Sequence, residues 1–161
     1  MSLVRSQKNL PWTIEVDALS GTGTNLYYRE GMVVKQGSAG NRVTLIDAKG
    51  DTAIGIIADA IKDPKTNSYE VAAAGDKRNY YPLGCKEIVH VYASAASQTY
   101  SPGAAIYLAD NVDGAVTPSP ATSRPVGHYP RNMAAQVTVA AGEKVPCYLD
   151  EEPGAATVSS S

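Results

Sequence analysis

Apolar residues along this chain come in short runs, and none of the runs keeps a helical period. No stretch of 11–18 residues repeats apolar positions at i, i+3, i+4 and i+7 between sound caps. The segment "TAIGIIADAI" at 52–61 is apolar enough for a helix, yet Gly55 interrupts it and Ile54, Ile56 and Ile57 are β-branched. Short β-branched runs bounded by turn residues read as strands. The pattern predicts strands at 12–19, 32–35, 43–47, 54–60, 69–73, 87–93, 104–108, 126–129, 136–139 and 145–149. Between them lie "SGTGTN", "KQGSAGN", "AKGD", "KDPKTN", "AGDK", "NVDG", "TPSPATSRP" and "AAGEK", all rich in turn residues. Many short strands with regular turns imply an all-β barrel or sandwich.

The strand pattern repeats. Gly31 is followed by "MVVK", "RVTLID" and "TAIGIIAD", and Gly103 by "AAIYLAD", "AVTPSP" and "RPVGHYP". Val43-Thr44 follows Gly31 by 12 positions, and Val116-Thr117 follows Gly103 by 13. The Ile54-Gly55 step comes 11 positions after Val43, and Val126-Gly127 comes 10 after Val116. An alternating run precedes each unit, "TIEVDA" and "IVHVYA". Two such units can close on each other as one small barrel or β-tulip-like domain with a shared core. A glycine inside a strand marks a bulge or tight bend, as barrel corners require. The expected organisation is a barrel over 12–150, a flexible N-terminal arm at 1–11 and a flexible C-terminal tail at 151–161. Both ends are polar or patternless.

Composition narrows the function. The 161 residues are 43% apolar and 19% charged, with a formal net charge of −2. That balance gives nucleic acid no basic surface to bind. Ten Tyr, one Trp and no Phe suit half-wet contact surfaces, although Tyr also favours strands. Cys85 and Cys147 match no zinc spacing; two free, buried thiols are expected, with a single bridge between them as the alternative. The N-terminus lacks the apolar region of a signal peptide, and no apolar run reaches 18 residues. The expectation is a soluble protein made in the cytoplasm, without a membrane partner.

Candidate chemistry is sparse. His90 in "IVHVY" and His128 in "VGHYP" have no nucleophile pattern beside them, and no phosphate loop or zinc-protease motif occurs. Asp47, Asp51, Asp59 and Asp63 fall at turns and strand ends, where Asp bonds the local backbone. "DNVDG" at 110–114 lacks the order of a calcium loop, and no helix follows "SGTGTN" to help it hold phosphate. The chain is therefore read as a non-enzyme, with no catalytic residue, metal or cofactor.

The order of Gly turn, apolar strand, "VTL" and "TAIGIIADA", then a charged turn and a polar-aromatic strand, resembles capsid decoration (cement) proteins of tailed bacteriophages and related viruses. Ala53, Ile54, Gly55, Ile56, Ile57 and Ala58, followed by "SYEVAAAG", stand where lambda-type head decoration proteins carry a similar strand. The second unit, "PGAAIYLADNVDGAVTPSPATSRPVGHYP", is similar to the barrel repeat of small phage cement proteins. The resemblance covers roughly residues 25–149. It implies a β-barrel-like domain on the exterior of the virion capsid, commonly a homotrimer, clamping the major capsid protein against internal pressure. It also implies an arm, here 2–11, that orders on the shell, with Leu10, Pro11 and Trp12 as capsid contacts. Tyr80, Tyr81 and Tyr100 are weaker candidates for subunit or capsid contact, with core packing as the alternative. The chain departs from the lambda-type pattern in its length, in "AAGDKRNYYPLGCKE" at 73–87, read as an insertion, and in a Ser-rich tail. The alternative is another virion binding module, such as a tail or host-glycan-binding component.

Overall fold

The computed structural model describes residues 11–20, 27–48, 50–62, 64–95, 97–109, 112–119, 125–133 and 135–150. Among these residues there is no helix. Twelve strands follow one another: β1 (Trp12–Val16), β2 (Val33–Gln36), β3 (Arg42–Leu45), β4 (Ala53–Ile57), β5 (Lys77–Pro82), β6 (Ile88–Tyr92), β7 (Gln98–Tyr100), β8 (Ala105–Leu108), β9 (Val116–Thr117), β10 (Pro125–His128), β11 (Val137–Val139) and β12 (Lys144–Tyr148). The fold is the all-β small barrel that the apolar pattern predicts. The expected arm apart from Pro11, the whole tail and Asp63 lie outside the described residues, and Leu10 with them.

The repeat is larger than the sequence pattern suggests. β1 to β5 close into a barrel in the order β1-β3-β2-β4-β5, and β5 pairs back onto β1. The other large sheet runs β6-β12-β10-β8-β9. Setting β6, β8, β9, β10 and β12 beside β1, β2, β3, β4 and β5 makes the two orders identical. Parallel pairing of β1 with β3 has its counterpart in one parallel bridge, Ala93 to Val116. The registers agree as well. Lys35 faces Thr44 as Tyr107 faces Thr117, and Val34 faces Gly55 as Ile106 faces Gly127. Both β4 and β10 carry a register shift one residue before the glycine. The two related strand units thus have five strands each, and the first closes as a barrel by itself.

Each repeated signal has a physical cause. Gly31 and Gly103 have φ of +93° and +81°, a conformation that L side chains rarely adopt. Each donates its N–H at 2.8 Å, to the carbonyls of Ile57 and Tyr129 respectively. At Gly55 a Cβ would meet the Tyr81 carbonyl at 2.7 Å and the Tyr80 ring. At Gly127 it would meet the Cys147 Sγ at 2.7 Å and the Tyr148 carbonyl. The Ile/Val-Gly step therefore lets the fifth strand of each unit cross closely over the fourth.

Strand alternation divides the apolar residues between two cores. Val34, Leu45 and Ile57 point into the first barrel, with Val16, Tyr28 and Val43. Their neighbours Val33, Ile46 and Ile56 point the other way, into a cluster with Val91, Ile106, Val116 and Val145 of the second unit. Strands buried on both faces read as continuous apolar runs, which is why "MVV" and "IGII" show no polar alternation.

Other expectations need revision. Segment 69–73 is not a strand, and Tyr69 forms only an isolated bridge to Lys62. The segment 73–87, read as an insertion, contains β5, the strand that closes the first barrel. β7 pairs with β11 in a separate two-stranded sheet and was absent from the expected strands. Both thiols are free, but only Cys147 is buried, whereas Cys85 is half-buried.

Candidate contact surface

The first unit docks on the second through the outward face of β2 and β4. Val33, Ile46, Ala53, Ile56 and Leu83 are buried there. Each contributes on the order of 1.5–3 kcal/mol for the large side chains, before the cost of ordering. Backbone bonds stitch the seam. The Val33 N–H reaches the Gly114 carbonyl at 2.9 Å, and the Gly114 N–H reaches the Ile46 carbonyl at 2.9 Å.

Cations and rings alternate along one side of this seam. Lys62 lies 4.9 Å from the Tyr69 ring centroid, and the Arg29 guanidinium lies 4.8 Å from both Tyr69 and Tyr92. Lys144 sits 5.4 Å from Tyr92 and bonds Glu30 at 2.9 Å. Burial works against the Glu30 charge, but the Lys144 ammonium and a backbone N–H hold its carboxyl below the usual range. Cations over tyrosine faces are each worth about 0.5–1 kcal/mol or more. This ladder spans both units, and spacing in sequence gave no sign of it because its contacts follow no common spacing, with Glu30 and Lys144 114 residues apart.

The predicted contact residues fare unevenly. Trp12 is 53% exposed at the start of β1, and Pro11 beside it is half-buried. Tyr80 and Tyr81 are half-buried, packed against the first and second cores respectively. Burial pushes the Tyr80 phenol up. Tyr100 is 1% exposed and belongs to the core, so its candidate contact role gives way to packing. The sequence reading missed Ile88, which is 51% exposed at the start of β6.

Ile88, which also borders the seam, lines a cleft of about 290 Å³ on the second unit. Its other walls are Tyr129, Pro130 and Tyr148, with Arg131, Asn132, His128 and Asp150 supplying polar groups. His128 Nδ1 lies 2.8 Å from Asp150 Oδ1. Among the described residues its lining includes no Ser, Thr or Cys. An aromatic wall with a few hydrogen-bonding groups is the chemistry of binding. His90 stands apart, exposed on β6 and paired with Pro146.

Of the aspartates, Asp51 bonds its local backbone as expected, whereas Asp47 and Asp59 pair with the side chains of Lys35 and Asn79. Asp51 accepts the N–H groups of Asp47 and Ala48, and Lys35 bonds Asp47 at 2.7 Å and Asp51 at 3.0 Å. Asp59 accepts from Asn79 at 3.2 Å. Among the described residues no three His, Cys, Asp or Glu side chains gather as a metal site, and no helix is long and apolar enough to cross a membrane.

Comparison with known proteins adds no name to this geometry: no family model matches the chain, and no curated protein matches it significantly.

Proposed function

We infer that this protein is a capsid decoration protein, which binds the outer surface of an expanded viral capsid and stabilises it against internal pressure. The observation that carries the reading is the place of the residues on which the resemblance rests. "AIGII" and "PVGH" form β4 and β10, matched strands of two five-stranded units with one strand order. A shell-binding protein needs rigid, repeated contact surfaces, and a duplicated five-stranded unit supplies two in each chain. Joining several weak contacts raises avidity by about 10²–10⁴ when the geometry permits simultaneous engagement. In this reading the protein acts as a homotrimer on the major capsid protein, and the arm ending at Leu10, Pro11 and Trp12 reaches the shell.

Co-sedimentation with expanded, genome-free heads tests the reading, using the full chain and a form lacking residues 1–11. Saturable binding at a fixed ratio to capsid subunits supports it, and weaker binding of the shortened form assigns the anchor to the arm. Absence of binding to expanded heads overturns it.

The cleft of Tyr148, Asp150, Arg131 and Asn132 favours one second reading, a host-glycan-binding virion component. A tyrosine face and fixed polar groups suit a sugar ring. Saturable glycan-array binding lost in Tyr148→Ala would support that reading over the first.

A further inference from the structure

The two units meet through unlike surfaces. The first unit offers the outer face of β2 and β4, and the second offers the start of β6 with the β8–β9 loop. A contact between unlike faces leaves one of each unused. By register, the unused pair is the cleft of Tyr129, Pro130 and Tyr148 on the second unit, which borders the seam at Ile88, and the β1 face of the first.

Residue equivalences make the match specific. At the seam, Gly31, Ile57, Ala58 and Tyr81 line a cleft that is completed by Ile88, Val89, His90 and Lys144 of the second unit. A Cβ at Gly31 would lie 2.6 Å from the His90 carbonyl, so the β6 backbone presses directly on this glycine. The strand registers map Ile57, Ala58 and Tyr81 onto Tyr129, Pro130 and Tyr148. These three line the open cleft of the second unit. Gly103, the counterpart of Gly31, has only Arg131 within 4 Å of its Cβ position. The same registers map Val89, His90 and Lys144 onto Trp12, Thr13 and Lys77. Trp12, Thr13 and Lys77 are all exposed on the first unit.

We propose that the protein self-associates head to tail, with the Trp12 end of β1 in one copy seated in the Ile88–His128–Tyr148 cleft of the next. The repeat already joins its two units in this manner once within each chain, and a second copy continues the series. Two of the most exposed large apolar side chains, Trp12 at 53% and Ile88 at 51%, come together in that contact. The new face is more polar than the internal seam. Ile56 and Leu83 are replaced by His128 and Asp150, and Val33 by Ala105. That composition suits a contact between chains that must also exist apart. A repeated unlike-face contact closes into a ring where its rotation allows and otherwise extends as a filament.

The inference deepens the assembly part of the decoration reading, but it rests on the internal repeat and is tested without a capsid. Sedimentation of the purified full chain over a range of concentrations gives the assembly state. The emission of Trp12, the single tryptophan, reports whether that side chain enters the contact. Expected are species above monomer mass and a blue shift of emission that tracks assembly. Trp12→Ser and Ile88→Glu should each weaken association about 30-fold, as loss of an anchoring interface side chain does. Mixing the two variants should restore a two-chain species and nothing larger, because each retains the face the other lacks. Circular dichroism checks folding, and Asn132→Trp on the exposed cleft rim replaces Ile88→Glu should that variant unfold. A wild-type chain that stays monomeric overturns the proposal. So does assembly that survives both substitutions, or a mixture that stays monomeric. Head binding by a chain that fails these tests would keep the decoration reading and return Trp12 to the shell.

Discussion

Tyr28 and Tyr100 are one structural position occupied twice. The Tyr28 phenol lies 3.3 Å from the Val43 carbonyl, and the Tyr100 phenol lies 3.4 Å from the Val116 carbonyl. Val43 and Val116 are themselves equivalent, each beginning the "VT" pair of a third strand in its unit. Each ring is almost wholly buried. Each unit thus plugs its core with one tyrosine whose oxygen approaches a strand carbonyl. The local partners differ: Tyr28 also donates to the Asp17 carbonyl at 2.8 Å, and Tyr100 to the Gln98 side chain at 3.2 Å.

These phenols make the fold sensitive to alkali. Burial, above the other influences on it, pushes Tyr28 up to about 12, and burial also raises Tyr100. A folded-state pKa above the unfolded value of 10.0 gives stability that is complete below pH 10 and declines as pH rises towards the folded value. Denaturant unfolding followed between pH 8 and 12 should show this loss beginning near pH 10. Tyr28→Phe should reduce it, at a cost of about 1 kcal/mol at neutral pH. An unchanged alkaline profile in the variant would remove Tyr28 as a cause.

The two strand glycines should tolerate substitution poorly. Gly55→Ala sets a methyl against the Tyr81 carbonyl, and Gly127→Ala sets one against the Tyr148 carbonyl. Backbone cannot swing aside as a side chain can, so each should cost about 1–3 kcal/mol or more. Gly40→Ala is the control, since nothing lies within 4 Å of its Cβ position. Urea midpoints for the three variants measure the difference.

Arg78 is a charge where the other unit has an apolar residue. It is 3% exposed, and its counterpart by register is Val145, fully buried in the second core. Its Nη1 donates to the Lys77 carbonyl at 2.8 Å, while Glu70 is 4.0 Å from Nη2. A buried charge with so distant an ion partner is costly. Arg78→Met, which keeps much of the volume, should leave the protein equally stable or stabilise it by about 1–4 kcal/mol. A loss above 2 kcal/mol by thermal unfolding would show that the arginine contributes more than packing.

The thiols should separate cleanly by reactivity. Cys147 is fully buried under Gly127, and burial raises its pKa strongly. Cys85 is half-buried, and burial raises it too. A thiol reagent at pH 8 should modify Cys85 slowly in the native protein and Cys147 only after unfolding. Mass spectrometry of the labelled peptides decides it, and native labelling of Cys147 would show that the second unit opens.

Much of the repeat could be read directly. Gly31 and Gly55 are 24 residues apart, and so are Gly103 and Gly127, so the one-residue difference before the "VT" pair is cancelled after it. A further echo went unread, "AAAGDK" at 72–77 against "VAAGEK" at 139–144. In both, the acidic residue bonds an N–H three residues back, Ala73 at 2.8 Å and Ala140 at 2.9 Å. Both then lead into the fifth strand. Without that echo, 73–87 looked like an insertion. Segment 69–73 alternates well enough for a strand, but Ala72 is its one buried position and it finds no ladder of partners.

What the sequence determined by itself is local. Turn residues, β-branched runs and glycines forced into left-handed or crowded positions act over a few residues, and they specify an all-β chain made of two like units. Tertiary structure decided how those units combine. Strand order is settled by pairings between residues far apart in the chain, which leave no periodic mark. Whether Val33 and Ile56 face a second core or solvent depends on what packs against them. The same dependence buries Tyr100, leaves Trp12 exposed and opens the cleft beside His128, because exposure belongs to the assembled surfaces rather than to any single strand.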